Sequence, residues 1–340
     1  MQKVIVKDSG PLTTVQDSGR FGYQKFGMPT AGVMDKYSYK IANLLVDNKE
    51  DEAVLEYTLK GPKLKFENDA IIAVTGAESI VKVNGEKIKM WQSHYIEKGS
   101  VLEISPAKQG LRGYISFKNG LEIPEIMGSK STYLRGNLGG YEGRKLKDGD
   151  VLKINKKVSR ESYALKSLEK KYRPDFSQKK IRVILGPQDD YFTQNGISKF
   201  FNGEFKVSTQ ADRMGYRLEG PEIEHKDGAD IISEGIAEGS IQIAGNGKPI
   251  IMLADSQTTG GYTKIATVIK SDIDIVSQKR PGDLISFEKI DLKKAQKLIK
   301  KRKEIYESIK KKDYKLSDPK YYNIKINNKA FDVKLREIRQ

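Results

Sequence analysis

Asp255, Gln257, Thr258, Thr259, Gly260, Gly261, Tyr262 and Lys264 fall within one ten-residue stretch. They bring together an acid, an amide, hydroxyls, a phenol, paired glycines and an amine. Asp255 can place a water or take a proton as a general base. Lys264 can stabilise an oxyanion or a phosphate; Asp255 and Lys264, with the phenol of Tyr262, are the candidate catalytic residues. Gln257, Thr258, Thr259, Gly260 and Gly261 are candidate substrate-binding residues, because adjacent glycines let backbone N–H groups approach an anion. Asp212 and Arg213 join that set, since Arg213 offers a planar fork to a substrate carboxylate. Each has a plainer alternative. Asp255 can tie down its loop, Lys264 can be solvated, and Asp212-Arg213 can be a self-paired surface cluster. Gln16, Asp17 and Arg20, with Ser129 and Ser131 in a glycine-rich stretch, are first-half loop candidates; Asp17 and Arg20 pose the same choice, and for these two a structural role is expected.

Several other chemistries are excluded or unsupported. The sequence has no G-x-x-x-x-G-K-[ST] phosphate loop, no G-x-G-x-x-G and no G-x-S-x-G. The two histidines, His94 and His225, lie in unrelated contexts, which excludes a multi-histidine metal site; no metal is expected. There is no cysteine, hence no disulfide and no thiolate chemistry. The net charge of +16 admits nucleic-acid binding, but the excess is uneven. Residues 291–312 hold nine lysines and one arginine against three acids, with no aromatic interleaving or zinc-finger spacing. No nucleic acid is therefore expected as a partner. No membrane partner is expected either, because no run of 18 apolar residues occurs. The opening Met1–Lys7 reads as a strand, and a cytoplasmic protein is expected.

The elements that position these residues are mainly strands. Ile250–Ala254 and Ile265–Ile269 flank the polar stretch as two short apolar runs, so Asp255–Lys264 reads as a ten-residue loop. Short runs at Leu64–Phe66, Ile71–Val74, Ile80–Val83, Val101–Ile104, Tyr114–Phe117 and Val151–Ile154 continue the pattern, and Asn84-Gly85 marks a hairpin. Asp35 stands at a helix N-cap, ahead of apolar residues at helical spacing up to about Val46. Leu292, Ala295, Leu298, Ile299, Ile305 and Ile309 predict a C-terminal helix. The halves also look duplicated: Gly61-Pro62 and Gly220-Pro221, Ala70 and Ala229, and Gly76 and Gly235 share one offset of 159 residues. A chain of 340 residues suits two domains. The expected boundaries are 1–157, with an inserted helix at 35–47, a linker at 158–180, a second domain at 181–290, and a basic helix and tail at 291–340. The cleft between two such domains is where a ligand is expected.

The chain resembles a known family through many blocks in order. These are Thr13-Thr14-Val15-Gln16-Asp17-x-Gly19-Arg20-x-Gly22, Gly27-x-Pro29-x-Ala31-Gly32-x-Met34-Asp35, Ala42–Val46, Gly128-Ser129-x-Ser131-Thr132, Gly186-Pro187-Gln188, Asp212–Arg217, Ser233–Ile236 and Gln257–Tyr262. Together, over residues 3–290, they resemble the biotin-dependent carboxyltransferase / allophanate hydrolase subunit 2 family. Ala211, Ala244, Thr263 and Asn119 depart from that pattern at loop edges, which bears on substrate detail more than on fold. The resemblance implies a mainly β protein of two cyclophilin-like β-barrel domains with a few short helices and a C-terminal helix.

It also implies partners, a protein of the 5-oxoprolinase B-subunit or allophanate hydrolase subunit 1 type and one of the A-subunit type. Three activities lie within it. The favoured one is an ATP-dependent 5-oxoprolinase subunit, opening 5-oxo-L-proline to L-glutamate, with ATP shared with or supplied by partner subunits. Arg213 would then hold the substrate carboxylate, Lys264 and the Gly260-Gly261 amides would meet phosphate or oxyanion, and Asp255 would place water. The second is carboxyl transfer from carboxybiotin to urea or a similar amide. Only that reading calls for biotin, which another chain would carry, since no Ala-Met-Lys-Met context occurs here. The third is a regulatory protein that binds and antagonises a histidine-kinase inhibitor.

Overall fold

A computed structural model describes residues 2–160, 163–311, 315–316, 320–326, 329–335 and 338–339. In the first half, strands divide into two sheets. One runs, in spatial order, Val151–Ile154, Gln2–Asp8, Lys63–Phe66, Val101–Ile104, Val81–Val83, Glu86–Ile88. The other runs Leu12–Gln16, Val54–Thr58, Gln109–Phe117, Ala70–Glu78, Ser93–Ile96. Their inner faces interdigitate through Val4, Val6, Leu64 and Phe66 from one sheet and Leu55, Ile72, Val74 and Ile115 from the other, all buried. The Asn84-Gly85 hairpin forms as read, with both residues at positive φ, 51° and 85°. The second half closes into a seven-stranded barrel: Lys180–Leu185, Lys264–Val268, Ser240–Ile243, Pro249–Met252, Gly215–Glu219, Phe205–Val207, Leu284–Lys289. Closure leaves this sheet without unpaired edges.

Helix α1, Lys36–Leu45, starts where Asp35 caps it. The Asp35 side chain accepts from the Ser38 N–H at 2.8 Å, satisfying one of the orphan donors of the first turn. Met34, Tyr37, Ile41, Leu44 and Leu45 are buried, and they pack into the same apolar cluster as barrel residues Ile181, Val183, Ile241 and Ile251. Helix α2, Gln194–Asn202, closes one barrel end through Phe200. Helix α3, Lys270–Ser277, is almost wholly buried. Helix α4, Leu292–Lys311, docks against α1 and α3 through Tyr306 and Ile309, and its Arg302 pairs with Asp274. The segment expected to link the halves runs beside the strand Ser93–Ile96. Lys166 and Leu168 make backbone bonds to Ser93 and Trp91 at 2.8 and 2.9 Å, and Leu168 and Phe176 are core residues. One apolar cluster thus spans the two halves, beside the first half's own core. The basic tail after Lys311 lies partly outside the described residues.

Two local readings differ from the structure. The stretch after Asp255 is not loop throughout: Thr259–Tyr262 is a strand, paired antiparallel with Asp230–Gly235 as a two-stranded arm beside the barrel. At one pair sharing the offset of 159 residues, the surroundings also differ. Gly76 lies inside a sheet at φ 83°, where an added Cβ would sit 2.4 Å from Arg112 O, whereas Gly235 lies on the arm with open space around it.

Candidate functional site

The second half brings Asp212, Arg213 and Asp255 to the boundary with the first. Barrel strands Gly215–Glu219 and Pro249–Met252 pair side by side, and the ladder continues past their ends through the Asp255 N–H bond to Arg213 O at 2.9 Å. Arg213 is buried and fully engaged. Its Nε and Nη2 reach the two Asp255 oxygens at 2.9 Å each, Nη1 pairs with Glu56 of the first half, and Nη2 also donates to Gly32 O. Burial works against the guanidinium charge, but Asp255 and Glu56 more than offset it, and the pKa stands above the ordinary arginine value. Glu56 also accepts from the Met34 N–H and the Tyr114 hydroxyl, at 2.8 and 2.9 Å. The fork expected to meet a substrate carboxylate is therefore spent on two protein carboxylates. Asp255, expected to place water, spends both oxygens on Arg213. Glu56 was missed, though an acid within the apolar strand VLEYT was a signal of a buried partner.

Beside this ion cluster the two halves enclose a cleft of about 470 Å³. Its walls are largely apolar, with Pro11, Leu12, Leu59 and Leu111 on one side and Met214 and Pro281 on the other. Asp212, Arg213 and Asp255 line it, with Arg112, Arg135 and Arg280. Asp212 caps its own turn, accepting from the Met214 and Gly215 N–H groups at 2.8 and 3.2 Å. Its other oxygen faces Arg135 of the first half at 3.3 Å.

The remaining second-half candidates sit elsewhere, where the arm meets the barrel. Thr259, Gly260, Gly261, Tyr262 and Lys264 do not line this cleft, and neither do Gln257 and Thr258. Lys264 is buried, and its Nζ forms a close ion pair with Glu234 of the arm rather than a well-aligned hydrogen bond. Gln188 joins them, donating to Glu234 at 2.7 Å and accepting from the Lys264 N–H at 3.2 Å. Lys264, followed by Gln188, holds the Glu234 carboxyl below its ordinary range. Gln188 and Glu234 were not singled out, although both lie in the Gly186-Pro187-Gln188 and Ser233–Ile236 blocks. Gly260 and Gly261 are strand residues and are absent from the positive-φ glycines, so they do not form the alternating nest that binds anions. Gly260 packs against side-chain ends, where an added Cβ would meet Ile236 Cδ1 at 2.4 Å and Gln242 Nε2 at 2.8 Å. Tyr262 is partly exposed, and Ile232 on the partner strand is 94% exposed. His225 packs on Phe192 and contacts Thr263 Oγ1 at 3.0 Å, as a strand-side histidine with its pKa lowered by burial.

The first-half candidates converge on one another. Asp17 accepts from the Gly19 N–H at 2.9 Å, from Ser129 Oγ at 2.7 Å, from the Lys130 N–H at 2.6 Å and from Ser131 Oγ. Arg20, fully buried, donates from Nε to Ile126 O at 3.0 Å and from Nη2 to Ser131 O at 2.8 Å. Gln16 donates to Thr14 Oγ1 and Thr132 O, each at 3.0 Å. These bonds clamp the loop 126–132 onto the end of the strand Leu12–Gln16. Among the described residues, no group of three or more His, Cys, Asp or Glu could hold a metal ion, and no helix is long and apolar enough to cross a membrane.

Residues 26–289 match the family model described as "Carboxyltransferase domain, subdomain A and B". The chain belongs to this carboxyltransferase-domain family. Among its relatives, the chain is 35% identical to the 5-oxoprolinase C subunit of Haemophilus influenzae, covering 89% of this chain and 96% of that protein. It is 34% identical to the 5-oxoprolinase C subunit of Escherichia coli, covering 91% and 97%. The solved urea carboxylase of Kluyveromyces lactis superposes with a TM-score of 0.84 at 32% identity, over 90% of this chain and 29% of that one. The mainly β architecture of this carboxyltransferase-domain chain is thus shared with solved relatives.

Proposed function

We propose that the chain is a subunit of an ATP-dependent 5-oxoprolinase, a hydrolase of a cyclic amide C–N bond that opens 5-oxo-L-proline to L-glutamate together with partner subunits. One observation carries this reading: the chain corresponds to nearly the whole of two 5-oxoprolinase C subunits, but to 29% of the urea carboxylase. The partners are a protein of the 5-oxoprolinase B-subunit or allophanate hydrolase subunit 1 type and one of the A-subunit type. The arm carries two exposed large side chains, Ile232 on one strand and Tyr262 on the other, available for such a contact.

The residues first expected to receive phosphate do not fit it. Lys264 is paired with Glu234, and the glycine pair is extended strand. In this reading the nucleotide is shared with or supplied by the partners, and this chain contributes the cleft between its halves. Co-expression with the neighbouring gene products, followed by an ATPase assay with and without 5-oxoproline, tests the reading. ATP hydrolysis that rises with 5-oxoproline and yields glutamate is the expected result. A purified assembly that ignores 5-oxoproline and instead carboxylates urea with a biotin carrier would replace it with the carboxyltransferase alternative.

A further inference from the structure

We infer that the cleft between the two halves is a binding site for a small monocarboxylate with a compact apolar body, and that Arg135 receives the carboxylate. Choosing 5-oxo-L-proline as that monocarboxylate rests on the function proposed above; the site itself rests on charge and shape. Four arginines line the cleft, and they are not equally free. Arg213 is neutralised by Asp255 and Glu56. Arg112 is buried and donates to neutral groups, the Tyr216 hydroxyl and Ser277 O, while its Nε finds no partner. Arg280 likewise donates to two carbonyls, Gly110 O and Ala107 O, at 2.7 Å each. The acids of the cleft are Asp212 and Asp255. Among the lining residues four arginines face two carboxylates, and an excess of positive charge in a largely apolar cleft favours an anion.

Arg135 is the arginine able to move. Its side chain is 61% exposed, and its contact with Asp212, at 3.3 Å, is with a side chain 52% exposed. Exposed pairs of this kind contribute little to stability, so a ligand carboxylate can replace Asp212 at small loss. The backbone beneath is well held. Tyr133 and Leu138 exchange N–H···O bonds of 2.8 and 3.2 Å around the turn Leu134–Gly136, so the guanidinium swings from a fixed base. A fork of this shape takes a carboxylate in two parallel bonds. The apolar walls, among them Leu12, Leu59 and Met214, then cover the carbon skeleton. About 470 Å³ falls within the roughly 300–1,000 Å³ of small-molecule sites. Asp212 and Arg135 come from opposite halves, so the ligand would touch both.

The test uses the full chain and the reconstituted complex. Calorimetric titration of the chain compares 5-oxo-L-proline, cyclopentanecarboxylate (the carboxylate without the lactam) and 2-pyrrolidinone (the lactam without the carboxylate). The first two are expected to bind and the third to bind at least tenfold more weakly. Arg135→Gln should weaken both carboxylates at least tenfold with an unchanged melting temperature, and Arg135→Lys should fall between. In the complex, Arg135→Gln should raise KM for 5-oxoproline at least tenfold with kcat within twofold. Equal binding of 2-pyrrolidinone, or carboxylate binding untouched by Arg135→Gln, overturns the inference. Normal KM in an active Arg135→Gln complex overturns it while the 5-oxoprolinase reading stands. Arg135-dependent carboxylate binding by a chain whose complex ignores 5-oxoproline upholds the site and removes that reading.

Discussion

Replacing Arg213 separates two accounts of this residue, a substrate fork and a buried tie between the halves. The structure favours the tie. Arg213 is 7% exposed, and its partners Asp255 and Glu56 are 5% and 3% exposed. Arg213→Met removes the direct partner of both buried carboxylates, leaving Glu56 only the field of Arg112 and Asp255 only that of Arg20. Breaking a buried pair in this way costs about 3–5 kcal/mol. Set against a typical stability of about 5–15 kcal/mol, that is a large fraction. Trp91, the single tryptophan, is buried, so its fluorescence can follow urea unfolding alongside circular dichroism. The decisive comparison is the rescue. Arg213→Met combined with Glu56→Gln and Asp255→Asn should recover most of the loss, because the uncompensated charges are gone. A loss below about 1 kcal/mol for Arg213→Met, with KM for 5-oxoproline raised in the complex, would refute the tie and return Arg213 to substrate binding.

Three further outcomes follow from the same geometry. Asp35 is buried, and burial followed by repulsion from Asp274 raises its carboxyl to about 7. A raised carboxyl stabilises the fold below the unfolded value of about 3.9 and loses that contribution as pH climbs to about 7. The stability of wild type relative to Asp35→Asn, whose side chain still caps α1, should therefore fall between about pH 4 and 7 and stay level above, as thermal unfolding across pH would show. A flat difference would contradict it. Lys264→Met should cost only about 1 kcal/mol globally, because Glu234 is half-solvated. It should nonetheless speed amide exchange at Gly260–Tyr262 by loosening the arm, and unchanged exchange would mean that the ion pair does not hold it. Ile232→Asp, at a site 94% exposed, should leave the melting temperature unchanged and weaken co-purification with the partner proteins at least tenfold, the loss expected at an apolar contact point; full recovery of the complex would exclude the arm as the contact.

What could be read along the chain was local chemistry. The Asp35 cap, the Asn84-Gly85 hairpin and the α1 and α4 apolar spacings depend on residues within a turn or two, and the structure forms all of them. The ordered blocks identified the family for the same reason, since they are strings of neighbours. The first-half cluster was not legible in this way, since Asp17 meets Ser129 and Ser131 across 112 and 114 residues.

The partners of the candidate groups were not legible. Arg213 meets Asp255 across 42 residues and Glu56 across 157, and which carboxylate reaches which guanidinium depends on how the halves dock. The Gly260-Gly261 pair suited a ligand-binding loop equally well until strand pairing with Asp230–Gly235 gave it a packing task. Residue types and short spacings thus determined the mainly β class, the caps, the turns and the family. Tertiary structure alone decided which charges are spent and which stay available, because a charge is neutralised by whatever lies within a few ångströms in space, however distant along the chain.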